Sequence, residues 1–228
     1  MRVEENPALV RETLDLLKQE YMGEPREGLS LTTLLYCLTK SWKDKYEPAE
    51  PNDRELSLWS AGFGLERVLI QSRMVRQVWV MDGVTMHPDF VSLGDQVLAD
   101  LKTTRAGPKP PTFDTYGGMW LRQFMGYARK KIVAAREAGD VVEFPYPFDV
   151  LIFHVIQAEM KAWRFWFDEA EIEANWEHVM FRKQVMEVAE ITGVMPEPFA
   201  WNEAWECRDC RYKLGCDLWA SLKKANSW

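Results

Sequence analysis

The sequence predicts an α/β protein whose mixed central sheet is flanked by helices. Three observations lead there. Apolar residues recur at helical spacing through the first third of the chain, alternation takes over between 75 and 103, and a helix signal and further strand signals follow. The order in the middle is therefore helix, three strands, helix, strand. With 228 residues the chain is long enough for one well-filled core. A single domain, 1–228, is expected, with its core at about 53–192.

Asn6-Pro7 opens a first helix, with Asn6 as cap, Pro7 in the first turn and Gly23 as the stop. Ser30 caps a second, Leu31 to about Lys43. After the polar loop Glu47–Asp53, a third runs from about Asp53 to Gln71. Its polar stripe is Ser57, Ser60, Gly64, Arg67 and Gln71, and Glu66 falls instead in the apolar row of Trp59 and Ile70. Strands follow at Val75–Met81, Val84–Leu93 and Gln96–Thr103, the last two joined by a Gly94-Asp95 turn. A helix of about Tyr116–Ala138 ends at Gly139. Val150–Ile156 and Ala162–Phe167 form a hairpin, and Asp168 caps a long helix ending at Gly193. A loop-rich tail carries most of the cysteines.

Lys and Arg number 28 against 35 Asp and Glu, a formal charge of −7. This excludes a bulk polybasic binder, so a polyanion must be held by local patches or metal ions. With 47% apolar and 13% aromatic residues the chain is not of disordered composition. Acids stand where a signal peptide needs an apolar run, and no stretch suits a membrane span. A soluble, cytoplasmic protein with no membrane partner is expected, its cysteines reduced or bound to metal.

On the third strand, Asp100 and Lys102 point the same way. By itself the triplet is weak, since chance supplies roughly two acid-x-Lys triplets in such a chain. Glu159-Met-Lys161 is a second one, in a hairpin turn. Context separates them: counting back across the Gly94-Asp95 turn brings Asp89 to the same sheet end as Asp100, and Glu66 precedes these strands. Three carboxylates and a lysine at one sheet end suit Mg²⁺ or Mn²⁺. One helix further, Gln123 and Tyr127 stand one turn apart on a helix that also carries Arg122, Arg129, Lys130, Lys131 and Arg136.

Glu66, Asp89, Asp100-Leu-Lys102 and Gln123-x-x-x-Tyr127, in this order, resemble the PD-(D/E)XK nucleases of the RecB-like branch. The resemblance implies a restriction-endonuclease-like core and a role for each residue. Asp89 and Asp100, the Leu101 carbonyl and Glu66 would hold the metal, Lys102 would be catalytic, and Gln123 with Tyr127 would contact DNA. Met86 stands where that family often has glycine.

Cys207-Arg-Asp-Cys210 and Cys216 form C-x2-C-x5-C, with Cys37 far upstream. Thiols so clustered read as ligands of one metal centre, with zinc as the rival of a cluster. Joining residue 37 to 207 closes nearly the whole chain as a loop, worth on the order of 5 kcal/mol in the chain-entropy picture. One early cysteine and a late C-x2-C-x5-C around such a core resemble the iron–sulfur nucleases of the CRISPR-associated Cas-four family and the AddB-type helicase–nucleases. This implies a structural [4Fe–4S] cluster on Cys37, Cys207, Cys210 and Cys216, in a lobe made of about 30–50 and 195–225. It further implies a 5′→3′ exonuclease on single-stranded ends or flaps. Its partners would be DNA and either CRISPR integrase proteins or a helicase or recombination protein. A catalytically idle DNA-binding subunit and a zinc-bound interaction protein are the alternatives.

Overall fold

The computed structural model describes residues 7–21, 28–72, 74–76, 78–93, 96–98, 100–113, 118–198, 206–207 and 210–226, and at some of these, Glu66 among them, the backbone only. Helix α1 spans Pro7–Tyr21; its expected cap Asn6 and stop Gly23 lie outside the described residues.

The helix expected over 31–43 is two helices. A short strand β1, Leu29–Ser30, leads into α2, Leu31–Leu35, and α3 follows at Leu38–Tyr46. Ser30 caps α2 as expected, its Oγ accepting from the Thr33 amide at 3.1 Å. The break falls at Tyr36-Cys37, where side chains take over the carbonyls that a continuous helix would have used. Ser41 Oγ donates to the Thr33 carbonyl, and the Arg182 guanidinium donates to those of Leu34 and Tyr36. Helix α4, Asp53–Ser72, starts with a reciprocal cap in which Asn52 and Glu55 each bind the other's amide at 2.9 Å.

Where three strands were expected the described residues give six shorter ones, β2 (Met74–Arg76), β3 (Trp79–Met81), β4 (Val84–Met86), β5 (Asp89–Leu93), β6 (Gln96–Leu98) and β7 (Asp100–Thr104), with residues 77 and 99 outside the described residues. Asp82 and Gly83, both at positive φ, turn β3 back onto β4 where one expected strand gives way to the next. The cause of one break inside an expected strand is visible. Pro88, which has no amide hydrogen for a ladder, separates β4 from β5. The six strands are distributed over three small sheets, ordered β1-β4-β3, β2-β5-β6 and β7-β8-β9, where β8 is Tyr146–His154 and β9 is Glu159–Phe167. Two of these sheets mix parallel and antiparallel pairs. The expected hairpin across 94–95 is present: Leu93 faces Gln96 and Val91 faces Leu98.

Helix α5, Gly118–Glu137, forms the crossover that the parallel β7–β8 pair requires. Helix α6, Glu169–Thr192, begins with the Asp168–Glu171 capping box and ends at Gly193 with φ 68°. After a 3₁₀ turn at Lys213–Gly215, α7 spans Asp217–Asn226. The core joins α2, β4, the inner face of α5, β8 and one face of α6, with Leu31, Leu34, Val84, Phe124, Ile152 and Val179 almost completely buried. No helix among the described residues is long and apolar enough to cross a membrane. The chain is thus α/β.

Candidate functional site

The β5–β6 hairpin sets the position of the acidic pair. Continuing its register two places beyond Val91–Leu98 puts Asp89 opposite Asp100, at the point where the chain passes from β6 into β7. β5 lies beside β7. Asp100 is 1% exposed. Burial pushes its carboxyl pKa up, against the opposing pull of Lys102 and of hydrogen bonding with Asp89. Lys102 Nζ stands 2.6 Å from Asp100 Oδ2, yet neither Asp100 oxygen has a well-formed hydrogen bond. A buried carboxyl with an acid and a lysine beside it, and its lone pairs not fully used, suits a hard cation.

Two further members complete what was expected here. Leu101 is 7% exposed and pairs with Leu151 in the parallel ladder. Glu66 lies on α4, where only its backbone is described. Gly62, one turn earlier, packs on β7: a Cβ built there would sit 3.4 Å from Thr103 Oγ1. Among the described residues no three His, Cys, Asp or Glu are placed to hold a metal ion. The acidic pair supplies two, and the third expected side chain is the undescribed one.

Gln123 and Tyr127 do share a face of α5: Gln123 Nε2 donates to Tyr127 Oη at 2.6 Å. The tyrosine, however, is 1% exposed. Its hydroxyl donates to the His87 carbonyl at 3.3 Å, and its ring meets Trp79 edge-on at 6.2 Å. In this position it holds the backbone two residues before Asp89, and it presents no free phenol. Of the five basic residues on α5, two form ion pairs across to α6. Arg129 pairs with Glu173 at 3.1 Å and Arg136 with Glu169 at 2.6 Å.

The cysteines form a second locus. Cys37 at the α2–α3 break and Cys207, Cys210 and Cys216 of the tail are free thiols bordering one small pocket, alongside Glu206 and Trp219. The tail is fastened to the N-terminal third by several bonds. Tyr212 Oη donates to Asp44 Oδ1 at 2.8 Å, Arg211 Nη1 to the Ala49 carbonyl at 2.8 Å, and Thr39 Oγ1 to the Pro196 carbonyl at 2.7 Å. Burial first, and then the neighbouring Cys37, Glu206, Cys216 and Cys210, push the Cys207 thiol up to about 11. Burial also raises Cys210. Such thiols ionise readily only when a cationic centre offsets their charge. Thiolates are donors of the kind a metal centre takes, yet among the described residues, these four cysteines included, no group of three is placed to hold one metal ion.

Sequence reasoning missed Arg182 and Glu206. Glu206 Oε1 accepts from the Cys37 amide at 2.7 Å, and both residues are under 5% exposed. Burial brings Arg182 down to about 10, against the pull of Cys37 and Glu206. A signal was available: Arg182 falls in phase with Ile172, Val179, Met186 and Ala189, the buried face of α6, where an arginine needs internal partners.

No protein-family model and no curated protein sequence matches the chain. Among solved structures it is similar to the crystal structure of SSO0001, with a TM-score of 0.53 over 92% of this chain and 96% of that one, at 14% identity. At that identity the likeness is one of fold.

Proposed function

We propose that the chain is a divalent-metal-dependent DNA nuclease of the PD-(D/E)XK, RecB-like kind, stabilised by a [4Fe–4S] cluster on Cys37, Cys207, Cys210 and Cys216. The observation that carries the reading is the nearness of Asp89, at the start of β5, to Asp100 and Lys102 on the neighbouring β7, with Asp100 buried and 2.6 Å from the lysine. A purely structural ion pair has little reason to sit beside a second, half-buried carboxyl.

Asp89, Asp100 and the Leu101 carbonyl would hold Mg²⁺ or Mn²⁺, with Glu66 approaching from α4. When bound there, the cation supplies charge neutralisation at a phosphoryl oxygen and a more acidic water. Lys102 orients the attacking water or offsets phosphate charge. Tyr127 keeps the His87 carbonyl, and so the start of β5, in place. Single-stranded ends or flaps attacked in the 5′→3′ direction, with CRISPR integrase proteins or a helicase or recombination protein as partner, belong to this proposal by family resemblance.

With a net charge of −7, DNA engagement has to be local and salt-sensitive. The purified chain is expected to be brown, with iron and labile sulfide, and to degrade a labelled single strand with Mn²⁺ or Mg²⁺. A chelator should stop cleavage and leave weak binding intact. A colourless chain that does not cleave with either ion would leave the proposal without support.

A further inference from the structure

We infer that Arg182 is a positioning residue of the cysteine site: its guanidinium holds open the helix break that presents Cys37, and it supplies a buried positive charge beside that cysteine. The inference rests on the reading of the four cysteines as ligands of one iron–sulfur cluster.

The geometry at Cys37 has two clamps. From α6, Arg182 donates through Nε to the Leu34 carbonyl and through Nη2 to the Tyr36 carbonyl. A planar fork can serve two carbonyls two residues apart; a lysine ammonium offers a single point charge. The last turn of α2 closes with the Tyr36 amide on the Thr32 carbonyl at 3.1 Å. The chain then leaves the helix at Tyr36, ψ 175°, and Cys37, ψ 118°. From the tail, Glu206 Oε1 takes the Cys37 amide at 2.7 Å. The Tyr36–Cys37 peptide unit is thus held at both its carbonyl and its amide, by residues 145 and 169 positions beyond Cys37 in sequence. Were α2 to continue as one helix through 43, Cys37 would lose the extended backbone that turns it toward Cys207.

Charge acts in the same direction. Arg182 and Glu206 are buried to 3% and 4% exposure, and the guanidinium interacts with both Cys37 and Glu206. His178, one turn earlier on α6, is kept neutral at pH 7 by burial and by Arg182 and Arg122, so it adds no second positive charge. Cluster potentials follow net charge and hydrogen bonding around the sulfurs. A fixed guanidinium therefore raises the potential, and a nearby carboxylate lowers it.

The test uses the full chain, reconstituted with iron and sulfide without oxygen, as wild type, Arg182→Lys, Arg182→Gln and Glu206→Gln. Midpoint potential, rate of bleaching by an iron chelator and melting temperature are measured for each. Arg182→Lys should keep the wild-type potential and bleach about tenfold faster, because charge is kept and the fork is lost. Arg182→Gln should bleach as fast and shift to lower potential. Glu206→Gln keeps an acceptor for the Cys37 amide and should shift to higher potential, which gives a sign check if Arg182→Gln fails to fold. A separate arm uses iron-free chain: amide hydrogen exchange over residues 36–41 should speed up about fivefold in Arg182→Gln, because the Leu34 and Tyr36 carbonyls lose the donor that holds the break. Folded Arg182 variants with wild-type potential, bleaching and amide exchange would overturn the inference. A wild type that takes up no iron or sulfide would overturn the cluster reading instead, while the exchange arm would still report on Arg182.

Discussion

Asp100 and Lys102 show what two neighbouring side chains on one strand can do together. Burial favours the protonated carboxyl, and the lysine 2.6 Å away favours the charged one. Lys102→Met should leave a carboxylate buried without its counter-charge, lowering stability of the metal-free chain by about 3 kcal/mol. Mn²⁺ should restore much of the melting temperature but not the cleavage rate, because the cation replaces the lost charge and not the orientation of the water. Thermal melts with and without Mn²⁺, beside a cleavage assay, check both halves. That these two side chains meet follows from strand alternation alone, which needs no tertiary information. The burial of Tyr127 does not. A phenol on a helix reads the same in sequence whether it faces DNA or a carbonyl, and only the packing of β4 and β5 against α5 decides it.

Local order was readable wherever a short-range rule governs it. The α6 caps at Asp168 and Gly193, the 94–95 hairpin and the α5 limits near Gly139 all depend on chemistry within a few residues. The breaks were harder because their causes lie far away. Arg182, 145 residues beyond Cys37, satisfies the carbonyls that allow α2 to stop at Leu35. The Pro88 break was written in the sequence, and alternation across it outweighed it. Helix α2 also rests closely on α5, where a Cβ on Gly126 would come within 2.7 Å of Leu31 Cδ2. Gly126→Ala gains helix propensity of about 1 kcal/mol but overpacks a buried contact costing about 2 kcal/mol, so a net loss near 1 kcal/mol is expected. Adding Leu31→Val should recover part of it in denaturant unfolding. A more stable Gly126→Ala chain would show that α2 and α5 are not in such close contact.

The two loci meet through α2. Its Thr32 Oγ1 receives a long hydrogen bond, 3.5 Å, from Gln123 Nε2, and its C-terminal end leads directly to Cys37. The cysteine pocket thereby joins the first and last parts of the chain, and the acidic pair lies in the strands between them. The spacing of the four cysteines announced that closure; the charged residues that line it did not stand out until α6 and the tail were placed. The central claim is that Asp100 serves a metal-dependent reaction rather than the stability of the fold. Folding raises the pKa of Asp100, so its contribution is present below the unfolded carboxyl value, near 3.9, and is lost as pH rises through the folded value. Asparagine keeps the shape of the buried carboxyl and brings no charge to bury, so the metal-free variant should fold. The most direct measurement compares Asp100→Asn with wild type at pH 7, for melting temperature without metal and for cleavage of a labelled single strand with Mn²⁺. The account predicts a variant that stays folded and cleaves about a thousandfold more slowly, some 4 kcal/mol in activation free energy; a folded variant that cleaves at the wild-type rate would contradict it.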